Sequence, residues 1–243
     1  MTFDDAVRYN MARHGLAKKL ATIVTELVRQ YQDVHGLDVD GALGPKTEGL
    51  FAPPIVQSSD FTIDANGILS GAGVEVMLMD PSWRYAKLKT PKSRPLAIVA
   101  HYTATDPGTA RNMARNRQRQ IGPDDRNASW HVSIETDGSV IQMAPFTTGC
   151  WHAGGATAKP IAGIGPANRV SVGVELVGYG SSFPEAQVTA AAKLWRALVL
   201  TYQIPRALAM ITHQSLDPTR KTDPGPVWIG EHADRVLDFA FDR

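Results

Sequence analysis

An α/β fold, a mixed central β-sheet flanked by helices, is predicted for most of this chain by three stretches. PLAIVAH (95–101) is a continuous apolar run with β-branched members, suited to a strand buried on both faces. VSVGVELVG (170–178) alternates, so Ser171, Gly173 and Glu175 share one face while Val172, Val174 and Leu176 share the other. PEAQVTAAAKLWRALVLTY (184–202) carries apolar positions at helical period. Strands interleaved with helices imply a sheet with helices packed on it.

Taken from the N-terminus, residues 3–31 are rich in helix formers, with Leu16, Leu20, Ile23, Val24, Leu27 and Val28 at helical spacing. GLDVDGALGPKT (36–47) reads as a Gly/Pro-punctuated loop and KTEGLF (46–51) as the start of a short helix. FAPPIVQSSD (51–60) breaks any element. The expected division is a helical module over 1–55, a linker over 56–75 and a second domain over 76–243. Within that domain SWHVSIETDGSVIQMAP (129–145) predicts two strands joined at Asp137-Gly138, a pair that supplies the positive φ of a hairpin turn. ALAMITH (207–213) reads as a further apolar strand and GEHADRVLDFAF (230–241) as a closing helix. RNMARNRQRQ (111–120) is basic and reads as a solvated helix face.

Bulk properties remove several function classes. Hydrophobic residues make up 43% and charged residues 20%, ordinary for a protein with a buried core. Lys plus Arg number 25 against 24 Asp plus Glu, so nothing argues for a nucleic-acid partner, whose binding rests on phosphate neutralisation. The single cysteine, Cys150, excludes an intrachain disulfide and reads as a small buried residue. No apolar run reaches the roughly 18–20 residues that cross a bilayer, so stable membrane insertion is not expected. MTFDDAVRYNMARHG lacks the basic and apolar regions of a secretory leader, so synthesis in the cytoplasm without a signal peptide is expected.

Chemistry concentrates in the second region. His101 and His213 each close an apolar run, and His131 and His152 lie between them. Strand ends are where α/β folds gather ligands, and two imidazoles with one carboxylate make a three-ligand zinc set with a position left for water. Asp223 and Glu175 both offer the carboxylate. Spacing does not choose among the four histidines, and a strand-end histidine is also an ordinary satisfied polar residue. Lys221, two residues before Asp223, projects to the same side of an extended stretch, although a solvated surface lysine is the alternative.

AIVAHYTAT (97–105), SWHVSIETDGSVIQMAPFTTGCWHAGG (129–155), RVSVGVELVG (169–178) and THQSLDPTRKTDPGP (212–226) occur in the order found in zinc-dependent N-acetylmuramoyl-L-alanine amidases. The second domain therefore resembles that family over residues 76–230. The family includes cytosolic muropeptide amidases, phage lysozyme-amidases and peptidoglycan recognition proteins. The resemblance implies the amidase type 2 fold, with zinc held by His101, His213 and Asp223, the third ligand being Asp or Cys in the family. It further implies that Glu175 acts on the attacking water and that Lys221 steadies the oxyanion. Tyr102, Trp130, His131, Trp151 and His152 are the expected substrate contacts, Trp130 standing where relatives carry Tyr or Ala. Trp151 and His152 also read as a core indole and a loop-capping imidazole.

LVRQYQDVHGLDVDGALGPKTEGLF (27–51) resembles a helical peptidoglycan-binding module, with Thr47 placed to cap its short helix. His14 and His35 read as structural. Together these resemblances imply a peptidoglycan hydrolase of phage or prophage endolysin type, acting on the cell wall after release through a membrane lesion made by another protein. The alternatives are a cytosolic muropeptide-recycling amidase and a non-catalytic peptidoglycan recognition protein. The partner is peptidoglycan or a muropeptide; oligomeric state is left open.

Overall fold

Two helices, α1 (Phe3–His14) and α2 (Lys18–Val34), divide the helix-forming N-terminal stretch. Asp4 and Asp5 sit in the first turn of α1, where they complement the helix dipole, and Asp5 N donates to Thr2 Oγ1. Val7, Ala21 and Val28 are buried, together with Asn10 and Thr25. Polar side chains then tie the Asp40-Gly41 turn to the helices. Gln32 Nε2 donates to Asp40 Oδ1 (2.9 Å), Gln32 Oε1 accepts from Gly41 N (2.8 Å), and Asn10 Nδ2 donates to Gly41 O (3.0 Å). This computed structural model describes residues 1–14, 18–34, 39–42, 61–120, 128–154, 159–161 and 163–241. The expected helix at 46–51, Thr47, Leu16 and His35 lie outside the described residues. The chain forms two compact units, Met1–Pro53 and Pro54–Arg243.

The second unit begins earlier than the expected linker allows. Strands β1 (Phe61–Ile63) and β2 (Leu69–Gly71) pair antiparallel, and β3 (Val74–Val76) joins the main sheet, so the described part of 56–75 is structure rather than tether. Phe61 and Leu69 explain the difference: both are buried in the core, which a linker would leave in water. Buried Gln142 fixes the join by accepting from Leu69 N and donating to Gly67 O, each at 2.8 Å.

The main sheet contains β5 (Ala97–Tyr102), β6 (Val132–Ile134), β7 (Val140–Gln142), β9 (Ser171–Leu176) and β10 (Ile211–Thr212) beside β3, in the order β10-β5-β9-β6-β7-β3. The pairs β10/β5, β5/β9, β9/β6 and β7/β3 are parallel, and β6/β7 is the expected antiparallel hairpin. Strands β4 (Arg84–Tyr85) and β8 (Gly149–Cys150) form a separate antiparallel pair. ALAMITH is less strand than its apolarity predicts. Pro205, with φ already at −68°, opens a helical turn over Arg206–Ala209, only Ile211 and Thr212 pair with β5, and His213 starts another turn.

Period-two alternation gives the sheet two different faces. Ile98, Ala100, Val132, Ile134, Val172, Val174 and Leu176 pack against α4 (Glu185–Tyr202) and α5 (Ala233–Phe241), with Leu194, Trp195, Leu198, Trp228 and Val236 filling the space between. Helix α4 is buried almost all round. Its one fully buried amide, Gln187, donates to Ile134 O and Val177 O. The opposite face is apolar near the start of the parallel strands, where Ala97 and Val99 meet Ile161, Val170 and Leu216. Toward the strand ends it becomes polar.

Candidate metal centre

His101 and Glu175 are cross-strand neighbours on β5 and β9, and Ser133 of β6 is the next in the row. All three therefore point to the polar face. The sheet thus fixes the first imidazole and the candidate acid-base carboxylate before any loop contributes. The second imidazole comes from the edge strand: β10 pairs Thr212 with Ala100, which sets His213 level with His101. Thr212 Oγ1 accepts from Ser215 N (3.0 Å), capping the single turn His213–Leu216.

The loop from 213 to 223 is closed by its own backbone. Gln214 N donates to Asp223 O (2.9 Å), Lys221 N donates to Asp217 O (2.9 Å), and Asp217 also accepts from the Arg220 guanidinium (2.8 Å). These bonds carry Asp223 back to His213. His101 Nδ1, His213 Nδ1 and Asp223 Oδ2 converge at 3.0 Å from one another, all three residues buried. Such a group could hold a metal ion.

The electrostatics follow from burial and mutual proximity. Burial pushes the His101 imidazole down to about 4, against the pull of the Asp223 carboxylate beside it. Burial alone would raise the Asp223 carboxyl, but hydrogen bonds with His101 and His213 outweigh it and hold the group well below the usual carboxylate range. Glu175 moves the other way. Burial and then the nearby Asp223 charge push it well above its ordinary value, while Lys221 and Arg117 pull in the opposite sense. Its Oε2 is buried with no hydrogen-bond partner among the described residues. Lys221 thus lies in the field of both His101 and Glu175, beside the converging ligands.

The five expected substrate contacts separate into two groups. Tyr102 and Trp151 are half-buried and keep accessible ring surface. Tyr102 lies against Gly180, where a side chain would collide with the ring, and its hydroxyl is 3.2 Å from Thr222 Oγ1. Trp151 meets Tyr85 edge-on at 6.0 Å. Trp130, His131 and His152 are buried instead, which corrects their assignment to a groove. The Trp130 indole donates to Ser133 Oγ (2.7 Å) and lies under the Arg117 guanidinium, 4.1 Å from the ring centre. His131 is fixed by backbone at both nitrogens: Nε2 donates to Thr148 O (2.9 Å) and Nδ1 accepts from Gly173 N (3.0 Å). His152 Nδ1 lies 3.0 Å from His101 Nε2, behind the candidate ligand rather than in front of it.

Sequence reasoning missed three residues here. Arg117, expected on a solvated face of α3 (Ala110–Arg117), is half-buried, and its guanidinium donates to Met113 O and Ala128 O. The Asn168 carboxamide accepts from His152 N (3.0 Å) and Ala153 N (2.7 Å), which holds the CWHAG loop. Ser171 Oγ is 3.4 Å from His152 Nε2. Ser171 alone had a signal, the alternation that puts it on the Glu175 face. Cys150 is buried, and burial pushes its thiol up, as expected of an inert residue.

A family model described as N-acetylmuramoyl-L-alanine amidase matches residues 91–226, more than half of the chain. Among curated proteins, the 1,6-anhydro-N-acetylmuramyl-L-alanine amidase AmpD of Escherichia coli (strain K12) is 37% identical over 101 residues, 41% of this chain and 53% of that protein. AmpD of Salmonella typhimurium (strain LT2) is 36% identical over 103 residues, 41% of this chain and 52% of that protein. The matched stretch thus spans about half the length of these relatives. Among solved structures, a selenomethionine derivative of AmpD superimposes with a TM-score of 0.51 at 25% identity, covering 72% of this chain and 98% of that one. A point mutant of PlyL shares the fold, with a TM-score of 0.51 at 23% identity, covering 70% of this chain and 99% of that one.

Proposed function

The chain belongs to the N-acetylmuramoyl-L-alanine amidase family, and we propose that it hydrolyses the amide joining N-acetylmuramic acid to L-alanine, with zinc held by His101, His213 and Asp223. The observation that carries this reading is the convergence of two imidazole nitrogens and one carboxylate oxygen beside Glu175, a buried carboxyl with an unpartnered oxygen. Two nitrogens and one oxygen suit zinc and leave a position for water or substrate. When bound, zinc supplies a Lewis acid and brings the pKa of water to about 7.

The chain's own groups do the rest. Glu175, a buried carboxyl with an unpartnered oxygen beside the converging ligands, takes a proton from water and passes it to the departing amine. Lys221 places an ammonium near the developing oxyanion. Tyr102 and Trp151 offer partly exposed aromatic surface to the sugar and the first peptide residue. The N-terminal unit, whose Asp40-Gly41 turn is stapled by Gln32, is proposed to bind peptidoglycan.

Between the two settings foreseen for such an enzyme, the comparisons favour the soluble one. The AmpD relatives are 36–37% identical over their matched stretch, whereas the PlyL structure is 23% identical and supports the fold alone. We therefore read the substrate as a soluble 1,6-anhydro-muropeptide handled in the cytoplasm. No described helix is long and apolar enough to cross a membrane. The endolysin reading rests on the wall-binding motif of residues 27–51.

Mass spectrometry of two parallel digests tests both points, one of soluble 1,6-anhydro-muropeptides and one of purified sacculi. Release of stem peptide from the soluble substrate alone supports recycling; release from sacculi supports the endolysin reading. Zinc-loaded protein that retains sacculi but cuts neither substrate would be a recognition protein. Lys221→Ala is expected to keep its metal and lose most turnover, and unchanged turnover would remove Lys221 from the mechanism.

A further inference from the structure

The two candidate histidine ligands differ in what stands behind them. His213 Nε2 is buried and has no hydrogen-bond partner among the described residues. His101 Nε2 instead meets His152 Nδ1 at 3.0 Å, with the two rings nearly perpendicular at 84°. Behind His152 the chain of contacts continues. His152 Nε2 lies 3.4 Å from Ser171 Oγ, and Ser171 Oγ–H donates to Ala167 O at 2.7 Å.

The proton positions along this chain follow from its far end. Ser171 has one hydroxyl proton, and Ala167 O takes it, so Ser171 Oγ can only accept from His152 Nε2–H. A neutral His152 protonated at Nε2 has a bare Nδ1, which can only accept from His101 Nε2–H. A neutral His101 protonated at Nε2 then has its lone pair on Nδ1, the atom that faces His213 and Asp223. A histidine that ligates a metal does so as the neutral imidazole, and a neutral His152 is the partner that can accept from it. The alternative tautomer of His101 would aim its Nδ1–H at the metal position and set two bare nitrogens against each other at the His152 contact.

The backbone around His152 is built to hold it there. Asn168 accepts from the main-chain N–H groups of His152 and Ala153. Position 173 on β9 must be glycine for the ring to fit, because a Cβ there would overlap the imidazole. A cavity for a ring, a bonded loop and a terminal hydroxyl serve one contact.

We propose that His152 is a positioning residue, which fixes the tautomer and orientation of His101 through a His101–His152–Ser171 relay and so prepares Nδ1 as a metal ligand. This rests on the zinc reading above. Partners behind a ligating histidine set its tautomer and raise its basicity, and their loss weakens metal binding by about 10–100-fold.

The test is zinc affinity, measured by competition with a chromophoric chelator in the full-length protein without any muropeptide. His152→Phe keeps the ring volume and loses the acceptor, and its affinity should fall by about 10–100-fold. His152→Asn places Oδ1 where Nδ1 was and should recover most of that loss, and Ser171→Ala should lose a few-fold. In the zinc-loaded wild type, nitrogen-15 NMR should show a scalar coupling across the His101 Nε2–H···Nδ1 His152 bond. Unchanged affinity in both His152→Phe and Ser171→Ala overturns the proposal. Equal weakening in His152→Phe and His152→Asn overturns it too, because packing alone would then be at work. Should His152→Phe fail to fold, the asparagine and Ser171 variants and the coupling still decide. Wild-type protein that takes up no zinc sinks the zinc reading itself. Zinc uptake with the expected ranking of variants, but no cleavage of muropeptides, sinks the activity and leaves the relay standing.

Discussion

The two faces of the central sheet are made by the same strands and obey opposite rules. On one face Ile98, Val172, Val174 and Leu176 meet α4 and α5 through apolar contact, and the Nε2 of the single buried amide of α4, Gln187, donates to two carbonyls while its Oε1 has no partner among the described residues. On the other face, residues one position away on the same strands are His101, Ser171 and Ser133, buried and held by hydrogen bonds, and the buried Glu175. The first face gains stability from area, about 25 cal/mol per Å² removed from water. The second confines polar groups that burial disfavours, and retains an unpartnered carboxylate oxygen at Glu175. One strand alternation therefore separates the part of the molecule that holds it together from the part that can act.

The comparison can be broken most decisively at the converging ligands. Asp223→Ala, or chelation of the wild type, should reduce amide hydrolysis by about a thousandfold or more while far-ultraviolet circular dichroism stays native. Residual turnover near wild type would show that the polar face acts without the proposed metal. The mirror experiment is Leu198→Ala in α4, expected to cost about 2–5 kcal/mol in urea unfolding. Turnover per folded molecule should not change; a matching drop in kcat would mean that the faces are coupled.

A third experiment separates them by pH. Burial lowers His131 from its ordinary 6.5 to about 4. The unfolded chain therefore binds a proton more readily between those values. His131's contribution to stability is full above pH 6.5 and is lost as pH falls toward 4, by about 3 kcal/mol in all. His131→Gln should flatten the urea midpoint over that range in zinc-loaded protein; an unaltered slope would assign the acid lability elsewhere. The smallest effect belongs to the rim of the apolar face, where Arg235 pairs with Glu185 at 2.7 Å in the open. Arg235→Ala should shift stability by less than about 1 kcal/mol, with any shift fading in high salt.

Legibility in sequence followed the same division. The apolar face was readable because local pattern encodes it: PLAIVAH, the alternation of 170–178 and the Asp137-Gly138 hairpin each specify an element with no distant partner. Strands of three residues carry too little period to read, which is why β1, β2 and β3 were mistaken for linker. ALAMITH misled because apolarity does not reveal where a proline will start a helical turn. The ligand set depends on neighbours that are distant along the chain, His101 and Asp223 being 122 positions apart. Only resemblance chose those residues from among four histidines and two carboxylates. His152 and Trp130 were assigned outward because no local pattern distinguishes an aromatic or imidazole that lines a groove from one packed beneath it.

Arg117 has one more consequence. Its guanidinium is clasped between the Trp83 and Trp130 rings, at 5.3 and 4.1 Å, and bonded to backbone carbonyls. These contacts hold it in one place, where an exposed lysine would sample many. At Glu175 its positive charge works against the upward push of burial, in the same sense as Lys221. Glu175 is therefore tuned in part by a charge whose position is set by the architecture rather than by a freely moving side chain.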